Sequence, residues 1–150
     1  MTVDEAVTPL EPTGALTVRV SGRAVRVPSL LRLAEALPGL PGRTEYTLDP
    51  LDEVGVLFTL RSVPGGASDV RLFVVSPSAT FPDYAPRLDA GTLGWEPDPE
   101  RTALLVVVHP ATQAGGPTAN LLAPIVVDGR TGRATQVVLD GDWPLRAPLG

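Results

Sequence analysis

Apolar residues in this chain recur mostly at every second position. Leu16, Val18 and Val20 alternate with Thr17 and Arg19, and Val25 and Val27 alternate with Ala24 and Arg26. Ser21-Gly22 lies between the two sets. A period of two around a glycine turn predicts a hairpin with one buried face. Tyr46 and Leu48 predict a short strand, and Leu51-Asp52-Glu53 a connector. Val54, Val56, Phe58 and Leu60 then predict one face of a strand, with Gly55, Leu57 and Thr59 on the other. Both faces carry apolar residues, so this strand is expected to be central. After a turn at Pro64-Gly65-Gly66-Ala67-Ser68-Asp69, the run Arg71-Leu72-Phe73-Val74-Val75 completes a long hairpin. The aliphatic run from Ala103 to Val108, bounded by Arg101 and Pro110, predicts a strand covered on both faces.

The stretch 117–140 is the most informative. Two apolar arms, 121–127 and 134–139, flank Asp128-Gly129-Arg130-Thr131-Gly132. Asp-Gly favours a tight turn because glycine tolerates positive φ, and the second glycine suits a longer loop or bulge. A hairpin follows, with Leu121, Ala123, Ile125 and Val127 as its alternating buried set. Pro124 cannot donate a ladder hydrogen bond, so its half of the arm belongs on an edge or at a bulge. Beyond it, Trp143-Pro144-Leu145-Arg146-Ala147-Pro148-Leu149 is apolar but broken by proline, which suits an extended docked segment.

Helix is confined to a single turn within 88–95. The segment 76–86 is a loop stiffened by Pro77, Pro82 and Pro86. Residues 1–13 have no periodicity, two prolines and three acids, which predicts a flexible solvated tail. Eight or nine short strands with almost no helix make an all-β, compact antiparallel barrel-like or sandwich single domain over 14–150.

At 150 residues the chain is one domain and can bury roughly 70% of its unfolded surface. A hydrophobic fraction of 43% with mean hydropathy +0.16 points to a globular protein. No apolar run approaches the ~20 residues that span a bilayer. The first residues, Met-Thr-Val-Asp-Glu-Ala, are acidic where a signal peptide is basic, and there is no cysteine. The expected location is cytoplasmic, with no membrane partner. The net charge is −5, and all 12 basic residues are arginines scattered singly along the chain. That pattern argues against direct nucleic-acid binding.

No catalytic set emerges. His109 is the single histidine and stands at a strand end before proline, a structural position, with no cysteine or second histidine to complete a metal site or triad. Asp98 with Glu100, and Asp49, Asp52 and Glu53, are closely spaced acids. Paired carboxylates can hydrolyse glycosides, but beside prolines and turns they read as solvated caps. Gly65-Gly66 and Gly115-Gly116 lack the lysine and helix of a phosphate loop. No catalytic, cofactor or metal residue is expected.

The run Thr118-Ala119-Asn120-Leu121-Leu122-Ala123-Pro124-Ile125-Val126-Val127, followed by Gln136-Val137-Val138-Leu139, resembles the signature of the bacterial flagellar assembly factor FliW family. Leu37-Pro38-Gly39-Leu40, Leu60-Arg61-Ser62, and Ser76-Pro77 with Phe81-Pro82-Asp83-Tyr84 resemble other family motifs in the same order. The resemblance runs from about Val18 to Leu149. Leu40 replaces an aromatic, Ala36 a glycine and Arg61 a glutamine, the loop at Gly65-Gly66 is longer, and the first dozen residues have no counterpart. The resemblance implies a compact β-barrel and places an extended segment at 28–36. Leu30, Leu31, Leu33, Ala34 and Leu37 would also suit a helix there, but one under three turns.

It further implies a monomeric regulatory binding protein whose partners are flagellin and the RNA-binding translational repressor CsrA. Flagellin held in the cytoplasm would occupy the protein and free CsrA to repress flagellin translation. Secretion of flagellin would release the protein to sequester CsrA. Candidate contacts are Phe81, Asp83 and Tyr84 in the proline-stiffened loop, Asn120, and Trp143 and Leu145 in the tail. For the aromatics the alternatives are barrel plugs or interface anchors; for Asn120, a backbone-satisfying amide or a partner contact. A small-ligand-binding or hydrolytic β-barrel is the alternative function, and it needs a polar cavity.

Overall fold

The computed structural model describes residues 15–20, 23–37, 43–63 and 70–149. The expected tail at 1–13 and the turns expected at Ser21-Gly22 and 64–69 lie outside the described residues, as does most of the family-like motif Leu37-Pro38-Gly39-Leu40. Alternation produces β1 (Ala15–Val20) and β2 (Arg23–Pro28), paired antiparallel with Val18 opposite Val25. The segment after Pro28 is extended, as β3 (Leu30–Leu33). Next come β4 (Glu45–Pro50), β5 (Leu57–Ser62) and β6 (Arg71–Val75), a 3-10 turn at Pro77–Ala79, and the four-residue α1 (Ala90–Leu93). The aliphatic run is β7 (Thr102–His109), followed by β8 (Thr118–Ala119), β9 (Ile125–Asp128), β10 (Arg133–Gln136) and β11 (Ala147–Pro148).

The sheet runs β9-β10-β3-β4-β5-β6-β7, and β7 pairs back with β9 to close a barrel. The closing register sets Ile125 opposite Leu105 and Val127 opposite Ala103. Every pairing is antiparallel except β10 with β3, where Arg133 and Ala134 lie parallel to Arg32 and Leu33. The two-residue strands β8 and β11 continue the sheet beyond β7.

Strand alternation divides the apolar residues into two clusters. Leu31, Tyr46, Leu48, Phe58, Leu60, Val74, Leu105, Ile125 and Val127 fill the barrel, joined by Val18, Val25 and Val27 of the first hairpin. Val106 and Val126, one residue out of phase, belong to a second cluster with Tyr84, Leu93, Leu121, Val137 and Leu139. The segments 76–101 and 137–149 therefore cover the outer face of β7 and β9. Arg133 helps fasten this cover, with its guanidinium 5.1 Å from the centre of the Trp95 ring.

Three expectations change. The hairpin strands are shorter than the arms 121–127 and 134–139: 121–124 bends, although the N–H groups of Val137 and Leu139 still donate to Pro124 O and Leu122 O in the β9–β10 register. The set Leu121, Ala123, Ile125 and Val127 accordingly does not share one face: Ile125 and Val127 enter the barrel, while Leu121 joins the outer cluster. In the turn, Gly132 supplies the positive φ, 85°. Gly129 is needed for space, since a Cβ there would come within 2.5 Å of the Arg26 carbonyl and 2.7 Å of the Arg101 carbonyl.

The third change concerns Val54 and Val56, which precede the strand they were expected to begin. The Asp52 carboxylate captures this segment. Its Oδ1 accepts from the Gly55 and Val56 N–H groups at 3.1 and 3.2 Å, and its Oδ2 from Leu57 N–H at 3.0 Å. Gly55 adopts φ 82° and its carbonyl receives the Arg19 N–H at 2.8 Å. Val54 is left 58% exposed at the tip. Burial pulls the Asp52 carboxyl upward, but the N–H donors of Val56, Leu57, Gly55 and Val54 outweigh it and hold the group below its ordinary range.

Three stability predictions follow from this packing. Ile125 is fully buried, so Ile125→Ala is expected to cost about 2–5 kcal/mol in urea denaturation. A cost below about 0.5 kcal/mol would contradict its place in the barrel. Asp52→Ala should cost about 1–2 kcal/mol at neutral pH, as for a lost capping acceptor. Because the folded carboxyl is the stronger acid, its contribution is complete above about pH 4 and fades as pH falls through the folded value. The gap between variant and parent should thus narrow in acid, and a gap unchanged with pH would refute the carboxylate's role. The fully buried Tyr46 hydroxyl has no hydrogen-bond partner among the described residues. Tyr46→Phe is therefore expected to leave stability unchanged or raise it, and a loss above about 1 kcal/mol would reveal a partner.

Candidate functional site

Proline and turn chemistry build the loop that carries Phe81, Asp83 and Tyr84. Pro77 opens the 3-10 turn, and its carbonyl accepts the Thr80 and Phe81 N–H groups at 3.1 and 2.8 Å. Phe81-Pro82-Asp83-Tyr84 then turns again, closed by Tyr84 N–H donating to Phe81 O at 2.9 Å. Proline at the second position and aspartate at the third suit such a turn. Tyr84 is driven back into the outer cluster, 6% exposed, and its hydroxyl donates to Leu121 O at 2.6 Å. Burial raises its phenol pKa well above the ordinary value, so the group stays a neutral donor.

The bend at 120–124 meets this loop from the other side. Asn120 N–H donates to Val107 O at 2.9 Å, which anchors the bend to β7. Its side-chain Oδ1 accepts the Leu122 and Ala123 N–H groups, both at 3.1 Å. This is an Asx arrangement, a short amide standing in for a backbone turn. Gln136 Nε2 donates to Ala123 O at 3.0 Å, and Val137 N–H to Pro124 O at 3.0 Å. Pro124 ends the bend, so its missing N–H costs the β9 ladder nothing. The Asn120 amide is thus engaged with the backbone.

The C-terminal segment docks extended, as its prolines require. Leu121 N–H donates to Pro144 O at 3.0 Å, and Ala147 pairs with Ala119. The Trp143 ring meets Tyr84 edge to face, with centroids 4.8 Å apart and planes at 88°. The loop and the tail, some sixty residues apart in sequence, therefore form the two walls of one open groove of about 450 Å³. Phe81, Pro82, Asp83 and Thr80 make one wall, Trp143 and Pro144 the other, and Leu121 with Tyr84 the floor.

Of the six candidate residues, four line this groove: Phe81, Asp83, Tyr84 and Trp143. Phe81 and Trp143 are half-buried and Asp83 is exposed, so these three present side chains outward, whereas Tyr84 supports them from beneath. Asn120 sits one residue from the floor, and Leu145, 57% exposed, lies one residue past the Pro144 wall. Of the four lining residues that the candidate set missed, Thr80, Pro82, Pro144 and Leu121, it is Leu121 that forms part of the floor. Its place in the signature run, next to Asn120, was the available signal.

The remaining chemistry is sparse. His109 ends β7 opposite Thr118 of β8. Among the described residues no group of three histidine, aspartate or glutamate side chains could hold a metal ion, and no helix is long and apolar enough to cross a membrane. The barrel interior is filled by the aliphatic and aromatic side chains of the first cluster, where a ligand-binding barrel would need a polar cavity.

This geometry coincides with a sequence relationship over nearly the whole chain. The family model described as FliW protein matches residues 16–149. The flagellar assembly factor FliW of Bacillus licheniformis is 34% identical over 120 residues, covering 76% of this chain and 80% of that protein. The flagellar assembly factor FliW 2 of Desulfotalea psychrophila is 36% identical over 125 residues, covering 81% and 80%. A crystal structure of the flagellar assembly factor FliW superposes with a TM-score of 0.68 at 23% identity, over 89% of this chain and 96% of that one, a likeness of fold. The run that floors the groove is also the run that resembles the family's signature, and the chain belongs to the FliW family.

Proposed function

We propose that this protein is a cytoplasmic flagellar assembly factor that binds flagellin and the translational repressor CsrA, and so couples flagellin translation to flagellin secretion. The observation that carries this reading is the groove. Two proline-stiffened aromatic segments, distant in sequence, converge over a floor made by the signature run. Stiff walls lower the ordering cost of binding, and half-buried aromatics beside an exposed carboxylate are the composition of an interface anchor with a polar rim. The net charge of −5 supports the regulatory half of the reading. An acidic protein seated beside an RNA-binding surface opposes RNA phosphates, an effect that salt weakens. The protein acts by occupying its partners, without catalysis.

Phe81 and Trp143 are the residues to change, because Tyr84 is buried and its replacement would act through the fold. Phe81→Ala or Trp143→Ala should weaken binding of flagellin or CsrA at least ~30-fold in calorimetry, as for a lost aromatic anchor. Circular dichroism should show both variants folded. Asp83→Asn should change the association rate more than the dissociation rate, because it is a rim charge. Unchanged affinity of both alanine variants for both partners would remove the groove from the interface.

A further inference from the structure

The outer face of β4, β5 and β6 holds a feature that the groove does not use. Across these strands the register aligns Thr47, Arg61 and Arg71 in one row, and Asp49, Thr59 and Phe73 in the next. Arg61 and Arg71 are thus directly opposite one another, and both are exposed. The ladder fixes how close they stand. Ser62 N–H donates to Val70 O, and Ser76 N–H to Val56 O, so even-numbered positions of β5 are the hydrogen-bonded ones. Arg61 with Arg71, and Thr59 with Phe73, are then non-hydrogen-bonded pairs, the class whose Cα atoms approach to about 4.5 Å.

Like charges directly opposite on a sheet destabilise it. No described residue forms an ion pair with either arginine. Among the described residues the ion pairs are Arg32 with Glu45 and Arg101 with Asp98. Glu45 stands diagonal to Arg61 but is taken by Arg32 at 3.4 Å. Asp49 stands on the other diagonal and makes no ion pair with Arg61. Two residues along β6 on the same face, about 6.6 Å away, Phe73 is 38% exposed. In a chain of net charge −5, two adjacent guanidiniums without an ion-pair partner among the described residues, beside an exposed aromatic ring, form a local surface of opposite sign.

We propose that this face is a second docking surface, in which Arg61 and Arg71 receive the carboxylates of an acidic protein segment and Phe73 receives an apolar side chain next to them. The inference does not rest on the groove or on its partners. Guanidiniums fork to carboxylates bidentately, so two of them set side by side accept two acids at strand spacing. Charge complementarity selects the occupant. An acidic segment relieves the cross-strand repulsion on binding, whereas a basic one would add to it.

The test is fluorescence anisotropy with the intact protein at low salt. The probe is a short labelled peptide of repeating Glu-Glu-Leu, compared with its Lys-Lys-Leu counterpart. The acidic peptide should bind, weaken as salt rises and lose at least ~10-fold in affinity in Arg61→Glu/Arg71→Glu. The lysine peptide should not bind. Arg26→Glu/Arg130→Glu, which makes the same change in net charge at two other exposed sites, should keep the affinity. If charge reversal unfolds the protein, Arg61→Gln/Arg71→Gln should fold at least as stably as the parent and still lose binding. The proposal is overturned if the acidic peptide does not bind the parent protein, if the Arg26/Arg130 variant loses as much affinity, or if sedimentation shows that the face joins two copies of this chain.

Discussion

Closure of the barrel through β9 is the constraint on which the rest depends. The strand 125–128 is hydrogen-bonded along both edges, to β7 and to β10, and buried on both faces. A strand so placed can tolerate neither a shift of register nor a polar side chain inside. A slip of one residue would exchange Ile125 and Val127 of the barrel with Val126 of the outer cluster. What sets its register lies on either side. Upstream, the Asn120 amide and Pro124 deliver the chain from β8 into β9. Downstream, the turn after Asp128 is held by that side chain, whose Oδ1 accepts Arg130 N–H at 3.0 Å.

The groove inherits this constraint. Its floor, Leu121 and Tyr84, is part of the outer cluster that buries Val106 and Val126, so the groove is built on the reverse side of the closing strands. Leu121 uses both its backbone groups within the groove: its carbonyl takes the hydroxyl of Tyr84, which carries the loop wall, and its N–H reaches Pro144 of the other wall. Loss of the bend would therefore separate the walls as well as open the barrel.

Much of this was legible in residue order. Period-two alternation located β1, β2, β4 and the body of β5, and apolar runs located β6 and β7. Proline spacing forecast that the C-terminal segment would dock extended. What was not legible has physical reasons. Val54 and Val56 continue the alternation of Phe58 and Leu60, yet a carboxylate at Asp52 with three well-placed N–H donors outcompetes a ladder at the strand's start. The split of the hairpin arm between two clusters depends on the cover contributed by 76–101, which no local pattern encodes. Each wall of the groove was visible as an aromatic beside proline, but their meeting is tertiary. Likewise the opposition of Arg61 and Arg71 needs the hairpin register, which the intervening turn sequence does not specify.

The one parallel contact in the sheet bears on how the molecule comes into being. It joins Arg32 to Arg133, so the edge of β3 must wait for residues synthesised about a hundred positions later. Emerging from a ribosome, strands β3 to β6 can form a meander early, since each pairs with its neighbour in the chain. The barrel cannot close until β9 and β10 have left the exit tunnel. Through that interval the β3 edge and the apolar face of the meander stand open to other chains, the condition in which nascent sheets aggregate. Non-local closure of this kind is slow. Groove and barrel then mature together, because the bend before β9 and the C-terminal segment that complete the groove are among the last residues to arrive.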